Sequence, residues 1–414
     1  MNRQTLVLMT ALVSCLAPPV HADDWPQFRG PTGQGLAAGE LPTIWSAQKN
    51  IAWKQAIPGK GWSSPIVVSG RVYLTTAVPV KGGADLSLEA LCLDAENGNV
   101  LWEKEVFRQD AAKSPRIHNK NSHASPTPLI RDGRLYVHFG HQGTACLDLE
   151  GKVIWRNTSL RYAPVHGNGG SPILVEDLLV FSCDGGDKAF IVALNVADGK
   201  VRWRTDRGVK GGKMFSFGTP LSIEVGGKKQ IISPASNAVY AYDPADGKEI
   251  WRVRYKGYSV IPRPVYGRGL LFIGTGYDSP SLVAIRPDGA GDVTETHIAW
   301  KIRKAAPHAP SPLLVGDELY IVSDRGQASC LDARTGAVHW QERLGGEYSA
   351  SPLFAGGKVY FQSEQGTTTV ARAGKQFELV ARNALGERSL ASPAAADGAL
   401  FLRTDKHLYR IGAR

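Results

Sequence analysis

NIAWKQAI, residues 50–57, is an apolar strand that ends its hydrophobic run on a tryptophan, with no turn or partner strand ahead of it. At the other end of the chain, GALFLRT (398–404) and HLYRIG (407–412) make two strands, and the chain stops at Arg414 without a closing segment of that kind. A strand without a blade at one end and a blade without its last strand at the other predict that the two ends pair. Pairing of this sort closes an array of strands into a ring and removes the exposed edge that an open array would carry.

The closing strand recurs along the chain. Apolar strands carry Trp53, Trp102, Trp155, Trp203, Trp251, Trp300 and Trp340, and Phe377 is read in the same role, so the positions recur every 37–53 residues. Most follow a glycine turn, as in ENGNVLW, LEGKVIW, ADGKVRW, ADGKEIW and RTGAVHW. A second repeat runs out of phase: Ser-Pro or a close variant, a short apolar run, a tight turn and a strand. Its prolines are Pro65, Pro126, Pro172, Pro220, Pro264, Pro312, Pro352 and Pro393. Proline lacks a backbone donor and suits the start of a strand, and the GR, GD, GG and DG pairs are hairpin turns. A period of this length built from short strands predicts an all-β fold. The expected architecture is an eight-bladed β-propeller of four-stranded antiparallel blades, closed by the N-terminal strand pairing into the last blade. The domain reading is a signal peptide over 1–22, an extended segment over 23–49 and the propeller over 50–414.

Residues 1–22 have the grammar of an export signal: Arg3, the apolar run TLVLMTALV, and Val20-His21-Ala22 ahead of Asp23. The apolar run is too short to span a bilayer. Leu12-Val13-Ser14-Cys15 offers a second reading, a lipid anchor on Cys15. Either way the protein is expected outside the cytoplasm, in the periplasm or cell envelope. Cys92, Cys146 and Cys330 share one repeat position and Cys183 ends another strand, so they are read as buried and unpaired. Net charge is +10, with Lys and Arg scattered rather than clustered, which argues against nucleic-acid binding.

In a propeller the loops leading into the innermost strands crowd the mouth of the axial channel. The residues just before each Ser-Pro are therefore the candidate funnel and binding set: Lys60, Trp62, Asn121, His123, His166, Asn168, Phe215, Phe217, Tyr258, Arg263, His308, Glu347, Tyr348 and Arg388. An aromatic and polar mouth suits a planar polar ligand or a peptide loop; hydration of the channel is the plainer reading. The long stretch between Trp102 and Pro126 carries Arg108, Lys113, Arg116, His118 and Lys120, and is read as a contact loop or partial lid, or as a tolerated insertion. Asp94, Asp148, Asp243 and Asp332 precede turn glycines and are read as turn chemistry rather than calcium ligands. His138 and His141 have no third ligand nearby. No nucleophile elbow, phosphate loop or zinc-protease motif is present.

The Gly-x-x-x-Trp turn resembles the tryptophan-docking repeat of quinoprotein (pyrroloquinoline quinone, PQQ) propellers, and equally the repeats of the BamB-type subunit of the outer-membrane assembly machinery, over essentially all of 50–414. WPQFRGP at 25–31 also resembles a group of exported PQQ-like repeat proteins. The quinoprotein resemblance implies a vicinal disulfide and a carboxylate, amide and aspartate around calcium. This chain has no adjacent cysteines, and its ring offers Glu347, Asn121 and Asn168 with no aspartate expected at the mouth. The resulting expectation is a non-catalytic exported scaffold with envelope or secreted protein partners, no cofactor and no metal. Two alternatives stay open. One is a PQQ- and calcium-dependent dehydrogenase using Glu347, Asn168, His308 and Arg388 with Trp62 or Tyr348 stacked on the cofactor; the other is a module binding carbohydrate or polysaccharide.

Overall fold

The computed structural model describes residues 24–209 and 211–412. The leader and Cys15 lie outside them. The regular structure of the described chain is almost all strand, arranged as eight sheets in ring order. Blades 1 to 7 span 66–109, 129–157, 173–206, 221–254, 265–302, 313–343 and 353–384. Blade 8 joins 394–411 to the N-terminal strand Ile51–Ala56, which runs antiparallel to His407–Ile411 from Ile51↔Ile411 to Ala56↔His407. The expected count and closure are present. Blade 4 departs from four strands: Gly291–Asp292, from the loop inside blade 5, lies parallel to its outer strand at Trp251 and Arg252. The Asp292 carboxylate holds that addition by accepting from Arg254 Nε at 2.6 Å.

Each blade carries a β-bulge in its outer strand beside the tryptophan position, from Cys92/Leu93 in blade 1 to Val370/Ala371 in blade 7 and Ile51/Trp53 in blade 8. The bulge turns the indole toward the following blade. Trp53 Nε1 donates to Ala95 O (3.0 Å), Trp102 to Leu149 O (2.9 Å), Trp155 to Val196 O (2.9 Å), Trp203 to Pro244 O (2.8 Å), Trp300 to Ala333 O (3.0 Å) and Trp340 to Gly374 O (3.0 Å). At Trp251 the bond is relayed: the indole donates to Gln230 Oε1, and Gln230 Nε2 donates to Pro287 O in blade 5. Under the rings of Trp53, Trp102, Trp155, Trp203 and Trp300 lies the turn glycine of the next blade. A Cβ on Gly98 would sit 2.7 Å from the Trp53 ring, and Gly98 has φ +79°, so a side chain is barred twice. Phe377 does not occupy the tryptophan position. It precedes the outer strand Leu379–Ala384, and Ala381 stands at the equivalent register opposite Val370. Phe377 instead packs edge-on against Trp340 at 5.1 Å, filling the place that a glycine turn fills elsewhere.

The Ser-Pro repeat has its own structural meaning. The backbone N–H of each residue before the proline donates to the hydroxyl of its counterpart in the next blade: Ser64 to Thr127, Thr127 to Ser171, Ser171 to Thr219, Arg263 to Ser311, Ser311 to Ser351, Ser351 to Ser392 and Ser392 to Ser64. These bonds, 2.9–3.1 Å long, girdle the axis and break only where Arg263 replaces a hydroxyl residue. In blade 2 the repeat position is Thr127-Pro128, two residues beyond the expected Pro126, because Pro128 directly precedes the innermost strand Leu129–Arg131. The turn aspartates act as expected, Asp94 Oδ1 accepting from Glu96 and Asn97 N–H and Asp332 Oδ1 from Arg334 and Thr335 N–H. Cys92, Cys146, Cys183 and Cys330 are buried and free.

Residues 24–45 cross the end of the axis away from the loops that link the blades. Trp25 bridges Val67 in blade 1, Gln34 Oε1 accepts from Tyr266 N–H in blade 5, and Gly35 and Ala37 pair with Phe354 in blade 7. Arg29, 2% exposed, reaches up the axis to Pro312 O, while Arg263 Nη1 reaches down to Phe28 O at 2.6 Å. Burial lowers both guanidiniums to about 9. The channel is thus filled at this end, and Arg263 belongs to the filling rather than to the mouth.

Candidate functional site

An antiparallel meander sends two kinds of connection to the same face: the loops between blades, and the turns between the second and third strands of each blade. Backbone bonds tie them together. Tyr348 N–H donates to Asp324 O, Glu364 N–H to Glu347 O, Asp405 N–H to Arg388 O, and Tyr277 N–H to Tyr258 O. These bonds bring the junctions that carry Tyr258, Glu347, Tyr348 and Arg388 beside a second set of residues that the Ser-Pro spacing does not mark, including Tyr277, Asp324 and Glu364. An aspartate does stand here, contrary to expectation: Asp324 Oδ2 accepts from His308 N–H at 2.6 Å. The signal was available, because SDRGQ (323–327) and SEQGT (363–367) are second-to-third-strand turns of the same repeat.

One side of the mouth is charged. The insertion after blade 1 lies across it, with His118 N–H bonded to His166 O and Lys120 reaching blade 7, where Lys120 Nζ sits 2.8 Å from Glu364 Oε1 and 3.6 Å from Glu347 Oε2. Glu364, 4% exposed, also accepts from Ser349 Oγ at 2.6 Å and faces Arg388 at 3.9 Å. Arg388 lies 5.7 Å over the Trp62 ring. Lys60 is exposed, whereas Trp62 and Tyr348 are buried at 7% and 1%, so neither offers a free ring for stacking. Tyr348 packs in the core between blades 6 and 7.

The other side is aromatic. His118, His166, Phe215, Tyr258, Tyr277 and His308 form an unbroken arc of edge-to-face contacts with centroids 5.4–5.7 Å apart, each supplied by a successive blade junction or turn. Lys213 Nζ sits 4.4 Å over Tyr258, and Phe217 packs on Phe215. Tyr277 is 54% exposed and Ile261 40%. Asn121 holds the arc's first junction, donating to His166 O at 2.9 Å. His123 is half-buried; burial and the charge of Lys60 lower its pKa. Asn168 belongs to a separate cluster with Tyr162 and His141. Asn168 and Glu347 thus take part in different side-chain groups.

A family profile described as outer membrane protein assembly factor BamB matches residues 37–116, 78–213 and 235–411. The chain belongs to this family. BamB of Shewanella oneidensis is 24% identical over 237 residues, covering 51% of this chain and 55% of that protein. A polyvinylalcohol dehydrogenase of a Pseudomonas species is 25% identical over 231 residues, 52% of this chain and 32% of the relative. The chain thus spans about half of the first relative's length and a third of the second's. The crystal structure of BamB from Moraxella catarrhalis superposes with a TM-score of 0.63 at 12% identity, covering 88% of this chain and 97% of that one, which speaks for the shared propeller fold. No helix among the described residues is long and apolar enough to cross a membrane.

Proposed function

We propose that the chain is an exported, non-catalytic propeller of the cell envelope that docks a protein partner on its mouth face. The aromatic arc, with Tyr277 exposed on it, is the observation that carries this reading. Tyrosines held rigid by neighbouring rings lose little entropy on association, and such residues dominate binding energy at interfaces. A relative named for outer-membrane protein assembly supports a partner in the envelope. Photo-crosslinkers placed at Tyr277 and Ile261 in the native host are expected to capture one defined envelope protein. The same probe at outer-rim residues Leu101 and Val338, 48% and 50% exposed, is expected to capture none. Tyr277→Ala is expected to weaken the purified complex by about 30-fold, the scale of a hot-spot tyrosine. Equal capture from all four positions defeats the proposal.

The likeness to a polyvinylalcohol dehydrogenase motivates a second reading, PQQ-dependent oxidation. The residues fit that group poorly. Calcium needs carboxylate oxygens free to ligate, yet Glu347 and Glu364 face Lys120, and Asp324 is taken by the His308 backbone. Among the described residues no three of His, Cys, Asp and Glu are placed to hold a metal ion. Titration with PQQ and calcium, followed by dye-linked alcohol oxidation, separates the readings: turnover establishes the second.

A further inference from the structure

Lysines and arginines that lie scattered along the sequence are sorted by the fold. Each junction that supplies a ring to the aromatic arc also brings exposed cations: Arg116 beside His118, Arg161 ahead of His166, Lys213 beside Phe215, Lys256 before Tyr258, and Arg303 with Lys304 ahead of His308. Arg161, Lys256, Arg303 and Lys304 have no ion-pair partner among the described residues. The carboxylates on the same face are already engaged. Asp278 faces Lys213 at 3.7 Å, Asp187 Oδ1 accepts from Ala163 N–H at 2.6 Å, and Asp85 Oδ1 accepts from Ala111 N–H at 3.0 Å. The opposite end of the ring is the reverse. Its turns, between first and second strands and between third and fourth, carry exposed Asp132, Asp177, Asp397, Glu96, Glu150 and Asp246. The propeller is therefore polarised along its axis, basic at the mouth and acidic at the far end.

Like charges gathered at one end draw a partner of opposite sign, an effect that acts on the association rate more than on dissociation. The rings narrow the kind of partner. Neighbours in the arc meet edge to face, which leaves few ring faces for the base stacking that a single-stranded nucleic acid needs. Among the described residues, Tyr277 and Ile261 are the large apolar side chains most exposed at the mouth. Tyr277 touches Tyr258 at 5.7 Å and His308 at 5.6 Å, the two rings whose loops carry Lys256, Arg303 and Lys304. A narrow apolar strip flanked by cations matches an extended peptide, whose successive side chains point to alternate sides. We infer that the partner docked at the mouth presents an acidic extended segment, its apolar side chains on Tyr277 and Ile261 and its carboxylates on Lys256, Arg303 and Lys304. This rests on the docking reading and adds to it the chemistry of the partner.

The test mixes the purified chain with a labelled peptide that alternates Glu and Asp with Leu and Tyr, and with its counterpart carrying Gln and Asn instead. Association is followed by stopped-flow fluorescence anisotropy. The acidic peptide is expected to bind with an affinity that falls as salt rises, and the amide peptide about tenfold more weakly. The double variant Arg303→Glu, Lys304→Glu breaks no ion pair, and is expected to slow association about tenfold at low salt with dissociation nearly unchanged. The same charge change at the far end, Lys152→Glu with Lys375→Glu, is expected to leave the rate as it was. No difference between the two peptides, or an unaltered rate in Arg303→Glu, Lys304→Glu, overturns the inference. Tighter binding of phosphatidylglycerol vesicles or of oligothymidine than of the acidic peptide overturns it too. Crosslinking at Tyr277 and Ile261 tells the two failures apart. Capture of one envelope protein, with the two peptides bound alike, removes the acidic segment and leaves the docking reading standing; no capture, with neither peptide bound, removes both.

Discussion

Lys120 spans the mouth from an insertion on blade 1 to a carboxylate on blade 7, and its partner Glu364 is almost fully buried. Removing Lys120 leaves Glu364 with the Ser349 hydroxyl and a distant Arg388, so the cost should exceed that of a surface pair, about 1–2 kcal/mol. Lys120→Ala is expected to lower the melting temperature slightly and to speed proteolysis within 110–123, read by mass spectrometry of the fragments. His138 makes a different forecast. Burial, with repulsion from His141, lowers its pKa from 6.5 to about 3. The unfolded chain takes up a proton near pH 6.5 and the folded one does not. Its stabilising contribution is therefore present above pH 6.5 and lost as pH falls toward 3, about 1.4 kcal/mol per unit. His138→Gln should flatten the melting temperature between pH 6.5 and 4 relative to the parent.

Strands and turns explain which parts of the repeat were legible. The tryptophans and turn glycines stand out in the sequence because the indoles of Trp53, Trp102, Trp155, Trp203 and Trp300 lie on the next blade's glycine, a constraint that repeats with the fold. Phe377 was misplaced because spacing alone cannot register a strand; the bulge at Val370/Ala371 puts Ala381 at that position. Pro126 was taken for Pro128 for the same reason, since both follow a hydroxyl residue. The Ser-Pro girdle gives a prediction at this scale. Ser311→Ala removes the acceptor for the buried Arg263 N–H, and an unsatisfied buried donor costs about 1–3 kcal/mol. Denaturant unfolding should show that loss. Thr219→Ala, which removes the acceptor for Ser171 N–H, should cost a similar amount.

At the scale of the whole ring, one seam closes it, where the N-terminal strand pairs with His407–Ile411. Lys54, from the N-terminal strand, pairs at 2.9 Å with Glu387, which also accepts from Thr404 Oγ1 and faces His407 Nδ1 at 2.9 Å. Burial pushes the Glu387 pKa up, but the bonds from Thr404, Lys54 and His407 outweigh it and hold the group at about 2. The folded pKa lies below the usual 4.5, so this stabilisation is present above pH 4.5 and lost as pH falls toward 2, no more than about 3 kcal/mol in all. Glu387→Gln should lower stability at neutral pH and remove this part of the acid loss, seen as a shallower slope in melting temperature below pH 4.5. The eight-fold ring and its closure by residues 50–57 were determined by the sequence itself, because a periodic fold writes its contacts as periodic residues. The division of the mouth into an aromatic arc and a Lys120-latched charged side, the descent of Arg263 into the axis and the gathering of Asn168 with Tyr162 and His141 were decided only by tertiary structure. Those groupings join residues from different blades, and their side chains choose partners across the axis and between turns by burial and charge, which no repeat spacing encodes.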